Sequence, residues 1–314
     1  MPLKKPTRVE RARGESRPAL LPLSLLFING ILFGLTFSLA RLAITAGIPF
    51  TAFVSWYTLG AALVLLLFCL IRGDLPKLTW PHLKAYLILG VLAGALPLPI
   101  FAFVAPKLPA GIVGMTVALV PILTYLFALV LRMESFLLLR LAGIVLGFAG
   151  VLLIVLPEAS LPSRDMVGWV LVAMAAPVSL ALSTISTPLL RTADMTSHQL
   201  ACGLLIVTAI CVFPLMLATG EWWWFAAPFD EGDLALLLIV PAIALVWTLV
   251  YEIIHLAGPV FVTMVDNLAT LTAVGWGILI FGESHSLWVW GALVLLLAGV
   301  YLVNRTGAAA RKVP

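Results

Sequence analysis

A chain of 314 residues in which 63% are hydrophobic, only 10% are charged and the mean hydropathy is +1.17 carries more apolar side chain than one soluble core of that size can hide, so it belongs in a membrane. Its net charge of +4 does not point to nucleic acid, because the basic residues end apolar runs instead of forming a patch with interleaved aromatics. Cys69, Cys202 and Cys211 are odd in number and lie inside apolar segments without ligand spacing, which excludes a disulfide framework or a cysteine metal site.

Residues 1–19 form a basic tail with Lys4, Lys5, Arg8, Arg11, Arg13 and Arg17. The apolar run behind it is too long for a signal peptide's h-region and is read as a retained first span. A hydrocarbon core of ~30 Å needs ~20 apolar residues per helix. Ten segments meet that standard, at about 20–46, 49–71, 83–105, 109–131, 136–156, 166–190, 198–219, 234–255, 259–281 and 286–304. The links are short and hold turn formers and charges; only 220–233 is longer, and its Trp222, Trp223 and Trp224 suit the aromatic belt at a membrane surface.

The second half copies the first. A shift of 149 residues lays Met264 on Met115, Leu268 on Leu119, Glu283-Ser284 on Glu134-Ser135 and Ala298-Gly299-Val300 on Ala149-Gly150-Val151 without a gap. Five spans separate a residue from its copy, and an odd number inverts the copy across the membrane. The expected architecture is an all-α integral membrane protein of ten transmembrane helices in two five-helix inverted repeats, 20–157 and 166–304, joined by a loop at 158–165 and closed by a tail at 305–314. With the N-terminus cytoplasmic, fifteen of the Lys and Arg residues fall on the cytoplasmic side and only Lys107 and Arg164 opposite, with Arg41 inside the first span. That asymmetry puts both termini in the cytoplasm of a cell whose inner membrane the chain crosses many times. Inverted repeats recur in secondary transporters, where the halves exchange inward-open and outward-open states about a midplane site.

The pieces also resemble a known family, the EamA-type transporters of the drug/metabolite transporter superfamily. The resemblance rests on Phe33-Gly34 to Arg41, Pro109-Ala110-Gly111 through Pro121 to Glu134, Gly143 to Gly150-Val151, Gly282-Glu283, and Gly291 to Gly299-Val300. Phe33 stands where the family usually has Trp, the second span lacks a common Arg, and Thr270 replaces the Pro that would match Pro121. What the resemblance implies is a central cavity lined from both halves and export of small polar metabolites or amino acids, commonly with proton or exchange coupling.

Polar groups in hydrocarbon are costly unless they face a partner or water, so polar stripes mark interior faces. The eighth span carries Thr248, Tyr251, Glu252 and His255 on one face, beside Trp247; the ninth carries Thr263, Asp266, Asn267 and Thr270. The sixth shows Ser179, Ser183, Ser186 and Thr187, and the first shows Ser38, Arg41 and Thr45, with Asn29 and Thr36 on a neighbouring line. Asp266 lies seven residues into its span, ~10 Å deep at ~1.5 Å per residue, and must find a cation, a proton, a cavity or a bond to Asn267. Arg41 either binds a substrate carboxylate or snorkels to headgroups. Glu252 and His255 are either interfacial or parts of a gate or proton relay. Glu134 and Glu283 close equivalent turns and are read as caps of the helices that follow them. Gly143 and Gly147 permit close helix approach, within the fold or between two copies, so both monomer and homodimer are open. His82, His198 and His285 sit at loop edges and are read as solvated.

A lone Glu252-x-x-His255 has no second copy for a di-iron site. Nucleophile–base pairs, a Gly-Asp catalytic pair, His-Glu-x-x-His and a phosphate-binding Gly-rich loop are missing, so no enzyme, metal or cofactor is expected. The sequence reads as a secondary transporter of a small polar or zwitterionic metabolite such as an amino acid. A passive channel or a non-transporting receptor is the alternative.

Overall fold

A computed structural model describes residues 20–132, 136–155, 161, 163–225, 228–257 and 259–310. Those residues are mostly helical, with no strand among them. In chain order the elements are α1 (Leu20–Thr45), α2 (Phe50–Arg72), α3 (Trp80–Leu89, a π-turn Gly90–Ala95, then Pro97–Val104), α4 (Ala110–Val117 and Leu119–Val130) and α5 (Leu138–Val155). They continue with α6 (Met166–Ala173 and Ala175–Leu190), α7 (Ser197–Thr219), α8 (Glu231–Ala257), α9 (Pro259–Phe281) and α10 (Leu287–Ala310). Eight of these are long and apolar enough to cross a membrane; α5 and α10 contribute shorter apolar stretches, Leu138–Ile154 and Leu287–Val303. The chain is therefore a multi-pass membrane protein.

Several boundaries differ from the sequence expectation, and capping explains two of them. α3 begins at Trp80 because Pro81, in its first turn, needs no N–H partner there. α8 begins at Glu231 because Asp230 and Asp233 cap one another: the Asp233 N–H donates to Asp230 Oδ1 (2.9 Å) and the Asp230 N–H to Asp233 Oδ2 (3.0 Å).

Prolines break three helices. Pro97 ends the π-turn of α3, Pro121 follows the break of α4 at Ala118, and Pro177 follows that of α6 at Met174. In a membrane the freed carbonyls need donors. The Thr208 hydroxyl of α7 donates to Gly90 O (3.0 Å) and the Ser179 hydroxyl of α6 to Leu92 O (2.6 Å). Gly90 and Gly94 make the approach possible, since a Cβ on either would run into Val207 or Thr208. Ser179 thus serves the backbone of α3.

Contacts between the halves are reciprocal. α1 lies against α8 and α9, while α6 lies against α3 and α4; α2 packs on α7, and α5 on α10. The last pair is the tightest crossing: a Cβ on Gly143 would meet the Gly299 carbonyl, and one on Gly299 would meet Gly143 and Gly147. Gly143 and Gly147 are therefore occupied inside the fold. The tryptophan loop also packs inward: Trp56 of α2 donates its indole N–H to Trp223 O (2.8 Å) and holds Trp222 and Trp224 edge to face, leaving both rings more than half exposed.

Candidate functional site: a cavity with one carboxylate

Four helices, with one residue of α4, surround a small cavity of about 50 Å³. α9 supplies Asp266, α8 supplies Trp247 and Tyr251, α6 supplies Ser183, Thr184 and Thr187, and α1 supplies Phe33. The sequence spacing accounts for this. Trp247 and Tyr251 are one turn apart, and their rings stack at 6.1 Å with 29° between planes; Ser183 and Thr187 are likewise one turn apart on α6.

Asp266 is the only carboxylate or cation on the wall, and its carboxylate has no hydrogen bond or ion pair among the described residues. Asn267 does not satisfy it: Asn267 is half-buried, is not part of the wall and leaves its own Oδ1 without a partner. Trp247 Nε1 and the Tyr251 hydroxyl are also buried without partners. The hydroxyl of Thr187 is spent on Ser183 O (2.9 Å) and that of Thr184 on Leu180 O (3.0 Å), so they soften the wall without offering a strong donor.

The remaining predicted residues are placed elsewhere. Thr270 is fully buried and donates to Asp266 O (2.8 Å) and Gly114 O (3.3 Å), tying α9 to α4. Thr263 is buried on α9, and Thr248 donates back to Ala244 O (2.8 Å). Asn29 and Ser38 are fully buried on α1 with unpartnered polar atoms, outside the cavity wall. Glu252 accepts from the Ser197 hydroxyl (2.8 Å), and Arg191 lies over the same corner, donating to Tyr251 O (2.9 Å) and Met195 O (3.1 Å). Burial pulls the Arg191 guanidinium below its usual range, with Glu252 opposing that pull. His255, one turn on, is exposed.

Arg41 is committed at the other end of the bundle. Its guanidinium pairs with Glu283 and lies over the Phe281 ring at 4.5 Å. Glu283 accepts in addition from the Ala110 N–H (2.6 Å) and the Gly111 N–H (3.2 Å), and His285 Nε2 stands 3.4 Å from it. The expectation that Glu283 caps the following helix is therefore corrected: it caps α4, whose own N-cap, Pro109, has no side-chain acceptor. Gly282, at φ 62°, turns the chain so that the carboxylate folds back along α9, and Gly277 and Gly111 leave it room, since a Cβ on either would press on it. Burial disfavours the charged carboxylate, but His285, the two amides and Arg41 together outweigh it and hold Glu283 below the usual carboxylate range. Glu134, its partner in the 149-residue register, lies outside the described residues.

The histidines read as solvated are not. His82 is buried and hydrogen-bonds Thr79 (2.7 Å), His198 meets Asp74 (2.9 Å), and His285 is buried beside Glu283. Phe33 was visible in the sequence only as a family position; the structure makes it a wall shared with a second, smaller cavity of about 30 Å³. That cavity lies between Asp266 and the Glu283 end, with Phe37, Phe53, Tyr57 and Phe101 on its wall. Phe33, Phe37 and Phe101 touch in series, at 5.5 and 5.2 Å between centroids.

Comparison with known proteins agrees with this architecture. Residues 20–156 match the EamA-like transporter family. Among solved structures, one described only as "Crystal structure of protein" superposes with a TM-score of 0.63 over 91% of this chain and 97% of its own, at 19% identity, a likeness of fold alone. No curated protein matches the chain.

Proposed function

We propose, on the match of residues 20–156 to the EamA-like transporter family, that the chain is a secondary active transporter that moves a small polar, amine-bearing metabolite outward. The observation that carries the proposal is Asp266: a carboxylate without a partner among the described residues, on the wall of a cavity between helices of both halves. An unpaired buried charge is costly unless a ligand, a proton or water takes up the vacant bonds. Ammonium and proton compete for the same oxygens, and that competition supplies exchange coupling.

The two halves act as inverted five-helix repeats, 20–157 and 166–304, with α5 and α10 completing ten spans and both termini in the cytoplasm. The reciprocal contacts of α1 with α8 and α9, and of α6 with α3 and α4, support this arrangement. The Asp266 cavity then lies toward the cytoplasm, while Phe33 and the Arg41–Glu283 cluster close the outer side. Rocking the halves exchanges which end is closed. The protein works in the inner cell membrane, as a monomer or homodimer, without a cofactor.

The test is counterflow in proteoliposomes loaded with a panel of amines and amino acids, with and without a proton gradient, for the wild type and Asp266→Asn. Accumulation that follows the gradient and disappears in the variant is expected. Flux that is linear in concentration and shows no counterflow would instead indicate a channel.

A further inference from the structure

We infer that the Asp266 cavity selects an organic monocation, a primary or substituted amine on a flat apolar body, and discriminates against the amino acid built on that same body. The inference rests on the transporter reading above and narrows its substrate class.

Three features carry it. First, among the described residues of the wall the only charge is a single carboxylate. The two guanidiniums nearest in the sequence pattern are engaged elsewhere, Arg41 with Glu283 and Arg191 with the carbonyls of Tyr251 and Met195. An ammonium on Asp266 leaves the cavity neutral. A zwitterion adds a second carboxylate to the same enclosed volume with no cation to receive it, and like charges in a poorly solvated site oppose one another strongly.

Secondly, the open groups of the wall suit a cation and a neutral acceptor. The stacked Trp247 and Tyr251 rings offer π-faces to an ammonium or to a flat ring attached to it. Their unpartnered indole N–H and phenol O–H have room for a hydroxyl or ether oxygen on the ligand body. These neutral donors could also meet a carboxylate, but without compensating its charge beside Asp266.

Thirdly, the route toward the Glu283 end is aromatic. The second cavity, reached past Phe33, is walled by Phe37, Phe53, Tyr57 and Phe101, and none of its described wall residues is charged. Thr36, also on its wall, turns its hydroxyl to Phe33 O (2.6 Å). An amine with an aromatic body can pass such faces; a free carboxylate finds no cation until Arg41, which Glu283 occupies.

The experiment uses the full chain in detergent or nanodiscs and four ligands that share one phenyl body: phenethylamine, phenylalanine, phenylalanine methyl ester and hydrocinnamate. Binding of labelled phenethylamine is measured directly, and the others by competition. Phenethylamine and the methyl ester are expected to bind with similar affinity, phenylalanine at least ~10-fold more weakly, and hydrocinnamate not at all. Asp266→Asn should abolish amine binding while melting like the wild type, and Asp266→Glu should retain part of it. The inference is overturned if phenylalanine competes as well as its methyl ester, if hydrocinnamate binds, if amine binding survives Asp266→Asn, or if no ligand of the four binds. Because binding needs no flux, the two proposals fail separately. Amine binding without counterflow removes the transporter reading and leaves this one, whereas counterflow that prefers phenylalanine does the reverse.

Discussion

Asp266 and Glu283 sit on, or one residue past the turn of, the same helix, and the protein treats them in opposite ways. Glu283 is enclosed by four groups drawn from α1, the start of α4 and its own turn, so that Arg41, two backbone N–H groups and His285 share its charge. Asp266 faces a cavity with no described partner at all. A carboxylate whose acceptor positions are filled by protein is part of the scaffold, because its removal leaves donors and a guanidinium exposed to a poor solvent. One left unfilled is a site, because a ligand gains what the protein does not use. Burial alone does not separate the two cases; partner inventory does.

The comparison breaks most sharply under substitution. Asp266→Asn should reduce gradient-driven counterflow by more than about tenfold while leaving the melting temperature unchanged or raised, since the change removes an uncompensated charge. Glu283→Ala should do the reverse in stability, costing about 3 kcal/mol through the stranded Arg41 and uncapped α4, read as a fall of several degrees in detergent melting; an unchanged melting temperature would show that the cluster is ornamental. Gly277→Ala tests the same cluster without touching a charge. Its methyl group would press on the Glu283 carboxylate, and a loss of about 1–3 kcal/mol is expected, with the Gly277→Ala/Glu283→Ala double variant losing less than the sum.

pH supplies a finer test. Because the Glu283 carboxyl is held below its ordinary range in the folded protein, its contribution is fully present above the unfolded value of about 4.3 and is lost as pH falls through the lower folded value. Melting curves should therefore decline on acidification, and Glu283→Gln should flatten that decline. The smallest effect belongs to the exposed Lys77–Asp194 pair, at 2.7 Å, where the hydrogen bond from Lys77 pulls Asp194 down to about 2. Lys77→Ala should leave melting unaltered within error, because both partners are solvated.

The sequence by itself determined the membrane class and most of the helix segments, and it singled out Asp266 as a candidate, because these depend on local quantities: run length, charge density and depth along one helix. It also carries a 149-residue register that sets Glu283 against Glu134 and Gly299 against Gly150. Spacing put Trp247 and Tyr251 on one face, but it equally put Thr248 and Glu252 beside them, and periodicity within a helix cannot say which neighbour a face will meet. Arg41 illustrates the difficulty. Its depth and its alignment with Ser38 suited a substrate carboxylate, yet its partner is 242 residues away in sequence, reached because Gly282 turns the chain and two glycines leave space for a carboxylate. His198 at its loop edge went the same way, meeting Asp74 from 124 residues earlier in the chain. Tertiary structure alone decided which polar groups are answered by protein and which are left open, because that depends on long-range packing, and the unanswered set is where a ligand can bind.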